Sequence, residues 1–262
     1  MFHYTKAVLR VGPRLLHACL CTFKRWSKNL AKYPFAIRHA KFRYLSKKTS
    51  DALQVDLRFF GLENIPQDQL FFLVCNHMSA FDPLPFLIQI EQPTSFVGKM
   101  ELNKVPLLKT AIKALEVETI DRDDLRQSLK VMMKVEEDLK KRNKSWMIFP
   151  EGTRIRDQML PVAEFHHGTF RPATKAGVTI LPAAIWGTYR VLKMKPQFKR
   201  YPVYVSFLKP ITPKEYQNLT TANLAVMTRE AIQKEITYHL RPLDHKTMSE
   251  AKEKNYRFNM II

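Results

Sequence analysis

From residue 50 onward the chain alternates short apolar runs with amphipathic stretches. Val55, Leu57 and Phe59 occupy every second position, the spacing of a half-buried strand, and Gly61 ends the run. Phe71-Phe72-Leu73-Val74-Cys75 is continuously apolar, which predicts a strand at 70–75 buried on both faces. A short helix is expected over 83–90 with Pro83 at its first position, where proline's fixed φ suits a helix start. Thr94–Gly98 reads as a strand, 101–114 as helical and 116–121 as extended. Residues 123–141 form a longer amphipathic helix, its apolar stripe made by Leu125, Leu129, Met132, Val135 and Leu139. Trp146–Phe149 is another buried strand, and 168–177 a helical segment closed by Gly177. Val178–Trp186 and Val203–Leu208 follow as strands, and Thr221–Leu240 as a final helix. Such alternation predicts an α/β fold: a central, mostly parallel sheet flanked by helices.

The first 50 residues follow a different pattern. Leu9, Leu15, Leu16, Cys19, Leu20, Phe23, Trp26 and Leu30 recur at helical spacing, with Arg10, Arg14, His17, Lys24, Lys28 and Lys32 largely on the other side. This predicts an N-terminal amphipathic helical segment. Two occupants suit its apolar face: the interface of an anionic membrane, or the domain that follows. The charge balance favours the membrane. The net charge is +19 with a pI near 9.9, and residues 1–50 carry twelve Lys or Arg and no Asp or Glu, which leaves +7 for the rest of the chain. Each basic residue close to an anionic leaflet adds about 1 kcal/mol of attraction. No apolar stretch reaches the roughly 18 residues of a membrane span, the closest being 14–23, which Arg14 and His17 interrupt, and no cleavable signal pattern is present. The domain plan is therefore 1–50 as a membrane-association segment, 51–243 as the α/β domain, and 244–262 as a polar tail ending in Phe258-Asn259-Met260-Ile261-Ile262. Three cysteines, Cys19, Cys21 and Cys75, give neither a disulfide framework nor zinc-ligand spacing. A reducing, cytoplasmic face is expected. The basic residues make a helical face and not a recognisable nucleic-acid module, so no nucleic-acid partner is expected.

Chemistry concentrates where strands end. Asn76-His77-Met78-Ser79-Ala80-Phe81-Asp82-Pro83 leaves the second strand with a histidine and a carboxylate five positions apart. A carboxylate beside an imidazole fixes its tautomer and stabilises its protonated form, which makes the ring a general base. On one continuous helix five residues rotate the chain by about 500°, so His77 and Asp82 meet only across a turn. Asp82 before Pro83 is also a good helix N-cap with no need of His77. A second polar block, Phe149-Pro150-Glu151-Gly152-Thr153-Arg154, leaves another strand, as do Gly98-Lys99-Met100-Glu101-Leu102 and Ile120-Asp121-Arg122. In parallel α/β folds such strand ends share one crevice. Gly152 permits a positive φ, and Thr153 and Arg154 offer donors suited to a phosphate.

These blocks, in this order, resemble the glycerophospholipid acyltransferase family, most closely its 1-acylglycerol-3-phosphate acyltransferases. The family's histidine-x4-aspartate block, NHxSxxDP, is matched by residues 76–83. Its GKxELxxxP block is matched by Gly98–Pro106, and IDR by Ile120–Arg122. FPEGTR is matched by residues 149–154, and an apolar strand around proline by Ile180-Leu181-Pro182-Ala183-Ala184-Ile185. The resemblance covers about residues 55–210. It implies acyl transfer from acyl-CoA or an acidic acyl carrier protein to the sn-2 hydroxyl of a lysophosphatidic acid, giving phosphatidic acid. Glycerol 3-phosphate or another lysophospholipid is the alternative acceptor. His77 would be the base and Asp82 its orienting partner, while Arg122, Glu151, Gly152, Thr153 and Arg154 would hold the phosphate. Asn76, Ser79, Gly98, Lys99, Glu101 and Pro182 would support them. No metal or redox cofactor is implied. Family members often begin with a membrane-spanning helix, whose place the basic amphipathic segment would take.

Overall fold

The computed structural model describes Leu9 and residues 12–121, 123–155, 161–191 and 200–259. Seven strands form one sheet: β1 (Val55–Phe60), β2 (Phe71–Cys75), β3 (Thr94–Lys99), β4 (Glu118–Ile120), β5 (Ser145–Ile148), β6 (Thr179–Trp186) and β7 (Tyr201–Phe207). Their spatial order is β1-β7-β6-β2-β5-β3-β4, and every pairing is parallel except β6 with β7. β2 lies near the centre because all five of its side chains are apolar and need cover on both faces. Phe72 and Val74 enter one core with Trp146, and Phe71, Leu73 and Cys75 enter the other with Phe86 and Ile90.

Helices supply that cover. α1 comprises residues 12–28, α2 Phe35–Ala52, α3 Pro83–Gln89 and α4 Pro106–Ala114. They are followed by α5 (Leu125–Lys140), α6 (Arg171–Ala176), α7 (Thr221–Glu235) and α8 (Arg241–Asn259). Val131, Met132, Val135 and Leu139 of α5 and Leu224 and Ile232 of α7 pack on the first face, and Phe86 and Leu87 of α3 on the second. The apolar stripe of α5 differs from the one the periodicity suggested. Leu125 is 74% and Leu129 47% exposed, and Val131 is buried instead. Those two leucines lie in the first two turns of the helix, ahead of the buried Val131, Met132, Val135 and Leu139.

Pro182 sits inside β6, where a missing N–H is usually costly. Its carbonyl accepts from Leu208 N (2.9 Å), one residue past the last β6–β7 pair, so only the reciprocal bond to Leu208 is forgone, at the end of that ladder.

Two boundaries need correction. Residue 50 is not a division, because α2 runs through it from Phe35 to Ala52. Nor does a loose tail begin at Asp244. That residue lies in α8 and is buried, its Oδ2 accepting from Trp186 Nε1 (2.9 Å) and from Arg190. A buried guanidinium and a buried carboxylate each make the other tolerable, and together they fasten α8 to the end of β6.

The N-terminal segment also packs more than its periodicity suggested. α1 contains a π-turn at Ala18–Phe23, and Thr110 of α4 donates to the Cys19 carbonyl there (3.1 Å). Phe23 and Trp26 were expected on a lipid-facing side, yet both are buried, with Phe23 stacked on Phe42 of α2 at 4.3 Å. Each such side chain contributes roughly 1.5–3 kcal/mol when removed from water. Leu9, Leu16 and Leu20 remain exposed. Among the described residues, no helix is long and apolar enough to cross a membrane.

Candidate active site

After Cys75 the chain leaves the sheet through Asn76, whose side-chain amide grips one residue of β6 in both directions. Its Nδ2 donates to Ile185 O (3.0 Å) and its Oδ1 accepts from Ile185 N (2.8 Å). This fixes where His77 begins. Residues 76–79 are irregular and 80–82 a turn, so His77 and Asp82 are brought together across a bend and not along a helix.

Asp82 stands at the head of α3 but caps nothing. Its backbone is helical (φ −54°, ψ −35°) and its side chain makes no cap bond. The carboxylate turns back instead. Oδ2 accepts from Met78 N (2.7 Å) and Ser79 N (2.9 Å), and lies 2.7 Å from His77 Nδ1. Asp82 is fully buried; two amides and a ring nitrogen converge on Oδ2, while Oδ1 has no hydrogen-bond partner among the described residues. Its acceptor role places the imidazole hydrogen on Nδ1 and the lone pair on Nε2. Ser79 adds a further tie, its Oγ accepting from Phe81 N (3.2 Å).

The block leaving β5 wraps the same histidine. Phe149 stacks on the imidazole at 4.1 Å between centroids and 21° between planes. Glu151 Oε1 accepts from His77 N (2.5 Å), Ile155 N donates to His77 O (2.9 Å), and Arg154 Nε donates to His77 Nε2 (3.3 Å). Gly152 adopts φ +66°, the left-handed bend that lets this segment double back. Residues 149–155 are thus a cradle for His77 as much as a surface for a ligand.

Glu151 must be reassigned. Both its oxygens are taken by backbone amides, Oε1 by His77 and Oε2 by Ala163 (3.0 Å), and it is buried. It cannot also face a phosphate, which it would repel. Burial raises its pKa to about 7, against the two amide bonds that lower it and with a further push from Asp82. Burial, then Asp82 and Glu151, likewise push the Cys75 thiol well up, so it is inert as a nucleophile.

His77 stands at the wall of a cavity of about 1260 Å³, larger than the roughly 300–1,000 Å³ of ordinary ligand pockets. Its lining is predominantly apolar, with Leu16 and Phe23 of α1, Leu45 of α2 and Leu108 of α4 among the contributors. Polar groups gather beside His77: Lys99, Gly152, Thr153 and Arg154. Gly98 lines the cavity too, and a Cβ there would meet Leu102 Cδ1 at 3.1 Å. Glu101 is exposed and pairs with Lys99 Nζ (2.5 Å). Pro182 lies in the sheet, away from the cavity wall. Arg122 falls outside the described residues. Among the described residues, no group of three or more His, Cys, Asp and Glu side chains is placed to hold a metal ion. Phe149 and Ile155 were not anticipated as partners of His77. The signal for Phe149 was its place just past the end of β5, which the parallel register sets beside Cys75, two residues before His77.

Comparison with known proteins bears on the family and the fold. A family model described as Acyltransferase matches residues 56–186, half of the chain. A chloroplastic 1-acyl-sn-glycerol-3-phosphate acyltransferase of Brassica napus is 32% identical over 204 residues, covering 72% of this chain and 58% of that protein. The Borreliella burgdorferi protein of the same description is 30% identical over 128 residues, 49% of this chain and 50% of that one. The chain thus spans about half the length of the curated relatives it matches. The crystal structure of the 1-acyl-sn-glycerophosphate acyltransferase PlsC from Thermotoga maritima has the same fold. It superposes with a TM-score of 0.66 at 24% identity, over 90% of this chain and 92% of that one. On the family match, the chain belongs to the acyltransferase family.

Proposed function

We propose that this chain transfers an acyl group from a thioester, acyl-CoA or acyl carrier protein, to the sn-2 hydroxyl of 1-acylglycerol 3-phosphate, giving phosphatidic acid. The observation that carries this reading is the His77–Asp82 pair set in the wall of a large apolar cavity with cationic groups beside it. His77 Nε2 takes the acceptor's hydroxyl proton as the oxygen attacks the thioester carbonyl, and Asp82 stabilises the imidazolium. The tetrahedral intermediate collapses with loss of the thiolate, which receives the proton from His77. Arg154, Lys99 and Thr153 supply donors for the phosphate. Fixing the phosphate fixes the distance from the hydroxyl to the base. The apolar volume favours an acceptor that already carries one chain over glycerol 3-phosphate.

The test is purified protein with a labelled acyl thioester and a panel of acceptors. Lysophosphatidate should be the preferred acceptor, and His77→Ala should lower turnover by about 10² to 10⁴. Undiminished turnover in that variant would refute the mechanism, and preference for glycerol 3-phosphate would refute the acceptor.

The reading also puts the chain at an anionic membrane surface on the cytoplasmic side. Exposed Leu9 and Leu16 lie at the rim of the cavity, on a segment rich in Lys and Arg. Phe23 and Trp26 belong to the core, so the informative variant is Leu16→Ser with Leu20→Ser. It should bind anionic vesicles at least roughly tenfold more weakly, given about 1.5–3 kcal/mol for each buried leucine. Vesicle binding equal to that of the unaltered chain would remove this surface from consideration.

A further inference from the structure

His77 Nε2 is the atom that must accept a proton, and in this structure it is already engaged. Arg154 Nε lies 3.3 Å from it. Arginine has only donors, so the contact uses the imidazole lone pair, in agreement with the tautomer that Asp82 imposes on the other nitrogen. With the guanidinium in that position, the ring is occupied on both nitrogens, on its face by Phe149, and at its backbone by Glu151 and Ile155. A ring so held cannot take up a proton: the new N–H would point at a donor, and the imidazolium would sit against a second cation.

Arg154 is also placed to leave. It is half-buried, lines the cavity, and among the described residues no carboxylate pairs with it. Its two terminal nitrogens make no hydrogen bond within the described residues. A phosphate monoester is the ligand that such a fork accepts in two parallel bonds. The segment carrying it turns at Gly152, whose φ of +66° lies in a region that glycine enters and leaves without steric cost.

We propose that Arg154 is a displaceable cover on the catalytic base. The acceptor's phosphate draws the guanidinium away from His77 Nε2, so the lone pair becomes free only when a phosphate is bound. The consequence is specificity against water. With no acceptor present the covered base does not activate water against a bound thioester, and phosphate binding is what switches the base on. This deepens the acyl-transfer reading and rests on it, but the covering contact is testable without any acyl transfer.

The experiment measures the reactivity of His77 towards diethylpyrocarbonate, which attacks a neutral imidazole through a free lone pair. Modification is followed by peptide mass spectrometry, with the exposed His166 and His167 as internal standards. The full chain is treated with and without millimolar inorganic phosphate, alongside Arg154→Ala. His77 should react slowly in the unaltered chain and several-fold faster when phosphate is added. In Arg154→Ala it should be fast from the outset and indifferent to phosphate. A second readout is thioester hydrolysis without acceptor, which should rise in Arg154→Ala while acyl transfer falls. Phosphate that slows His77 modification or leaves it unchanged would overturn the proposal, because a phosphate bound beside an unmoved arginine can only shield the ring. So would an Arg154→Ala protein whose His77 is no more reactive than before. If lysophosphatidate proves not to be the acceptor but phosphate still uncovers His77, the cover stands and only the substrate changes.

Discussion

Two glutamates at opposite poles of the sheet show how the same side chain becomes either mortar or part of a working site. Glu116 lies before β4, at the end of the sheet where the parallel strands start, together with Lys144 before β5. It receives Arg38, and Lys144 Nζ at 2.7 Å. Burial works against its charge, but the hydrogen bonds from Lys144 and Arg38 hold its pKa below the ordinary value. Glu151 lies at the other pole, where β2 and β5 end, and among the described residues its oxygens accept from backbone amides alone, so burial prevails and its pKa rises to about 7. The arginines differ in the same way. Arg38 spends its donors on Tyr33 O (2.8 Å), Ala114 O (2.5 Å) and Glu116. Among the described residues Arg154 pairs with no carboxylate, and its hydrogen bond there is to the imidazole it covers. Charge that is fully matched fastens helices to the sheet. Charge that is left partly unmatched beside a cavity is available to a substrate.

The largest way to break this comparison is Arg38→Ala. It leaves Glu116 with Lys144 alone and frees the buried Ala114 carbonyl and the partly buried Tyr33 carbonyl. Removing one member of a fully buried pair typically costs about 3–5 kcal/mol, and the partial exposure of Glu116 sets this loss below that range. The melting temperature should fall accordingly, while turnover per folded molecule, measured below the new transition, should be unchanged. His77→Ala also takes a partner from the fully buried Asp82 and should lower the thermal transition as well, so the discriminating readout is turnover per folded molecule, lost in His77→Ala and kept in Arg38→Ala. Equal damage to turnover from Arg38→Ala would mean that the two poles are not separable in the way their bonding suggests.

Much of this arrangement was legible in the residues, because it is local. The all-apolar Phe71–Cys75 run, the Pro83 helix start and the five-residue step from His77 to Asp82 together require a turn, and the structure has it. What was not legible depends on partners distant in sequence. Periodicity identified an apolar face on residues 9–30 but could not say that Phe42 and Leu45 cover Phe23 and Trp26. Asp244 reads as part of a polar tail until Trp186 and Arg190, more than fifty positions earlier, are seen to hold it. Glu151 shows the limit most clearly. A carboxylate inside a polar motif reads as a ligand-facing group, and only the fold reveals that its two oxygens are aimed at the amides of His77 and Ala163.

A smaller effect sharpens the contrast between the poles. Glu151 has a folded pKa of about 7, above its unfolded value near 4.5. Between these values the folded chain holds a proton at Glu151 that the unfolded chain has released, so stability falls as pH rises from about 4.5 through 7. At about 1.36 kcal/mol per pKa unit, this amounts to something on the order of 3 kcal/mol. Glu116 has the opposite sign: its contribution is present above the ordinary carboxylate value and is lost as pH falls through its lowered folded pKa. Chemical denaturation across pH 4.5 to 7 should therefore show a declining limb in the unaltered chain. Glu151→Gln should flatten that limb. The variant is less stable at the acid end, since its amide nitrogen faces one of the two backbone donors and leaves it unpaired, but the slope and not the level is the readout. An unchanged slope would show that Glu151 is ionised throughout this range, matched by its two amides as fully as Glu116 is by its cations. The distinction between the two poles would then rest on Arg154 alone.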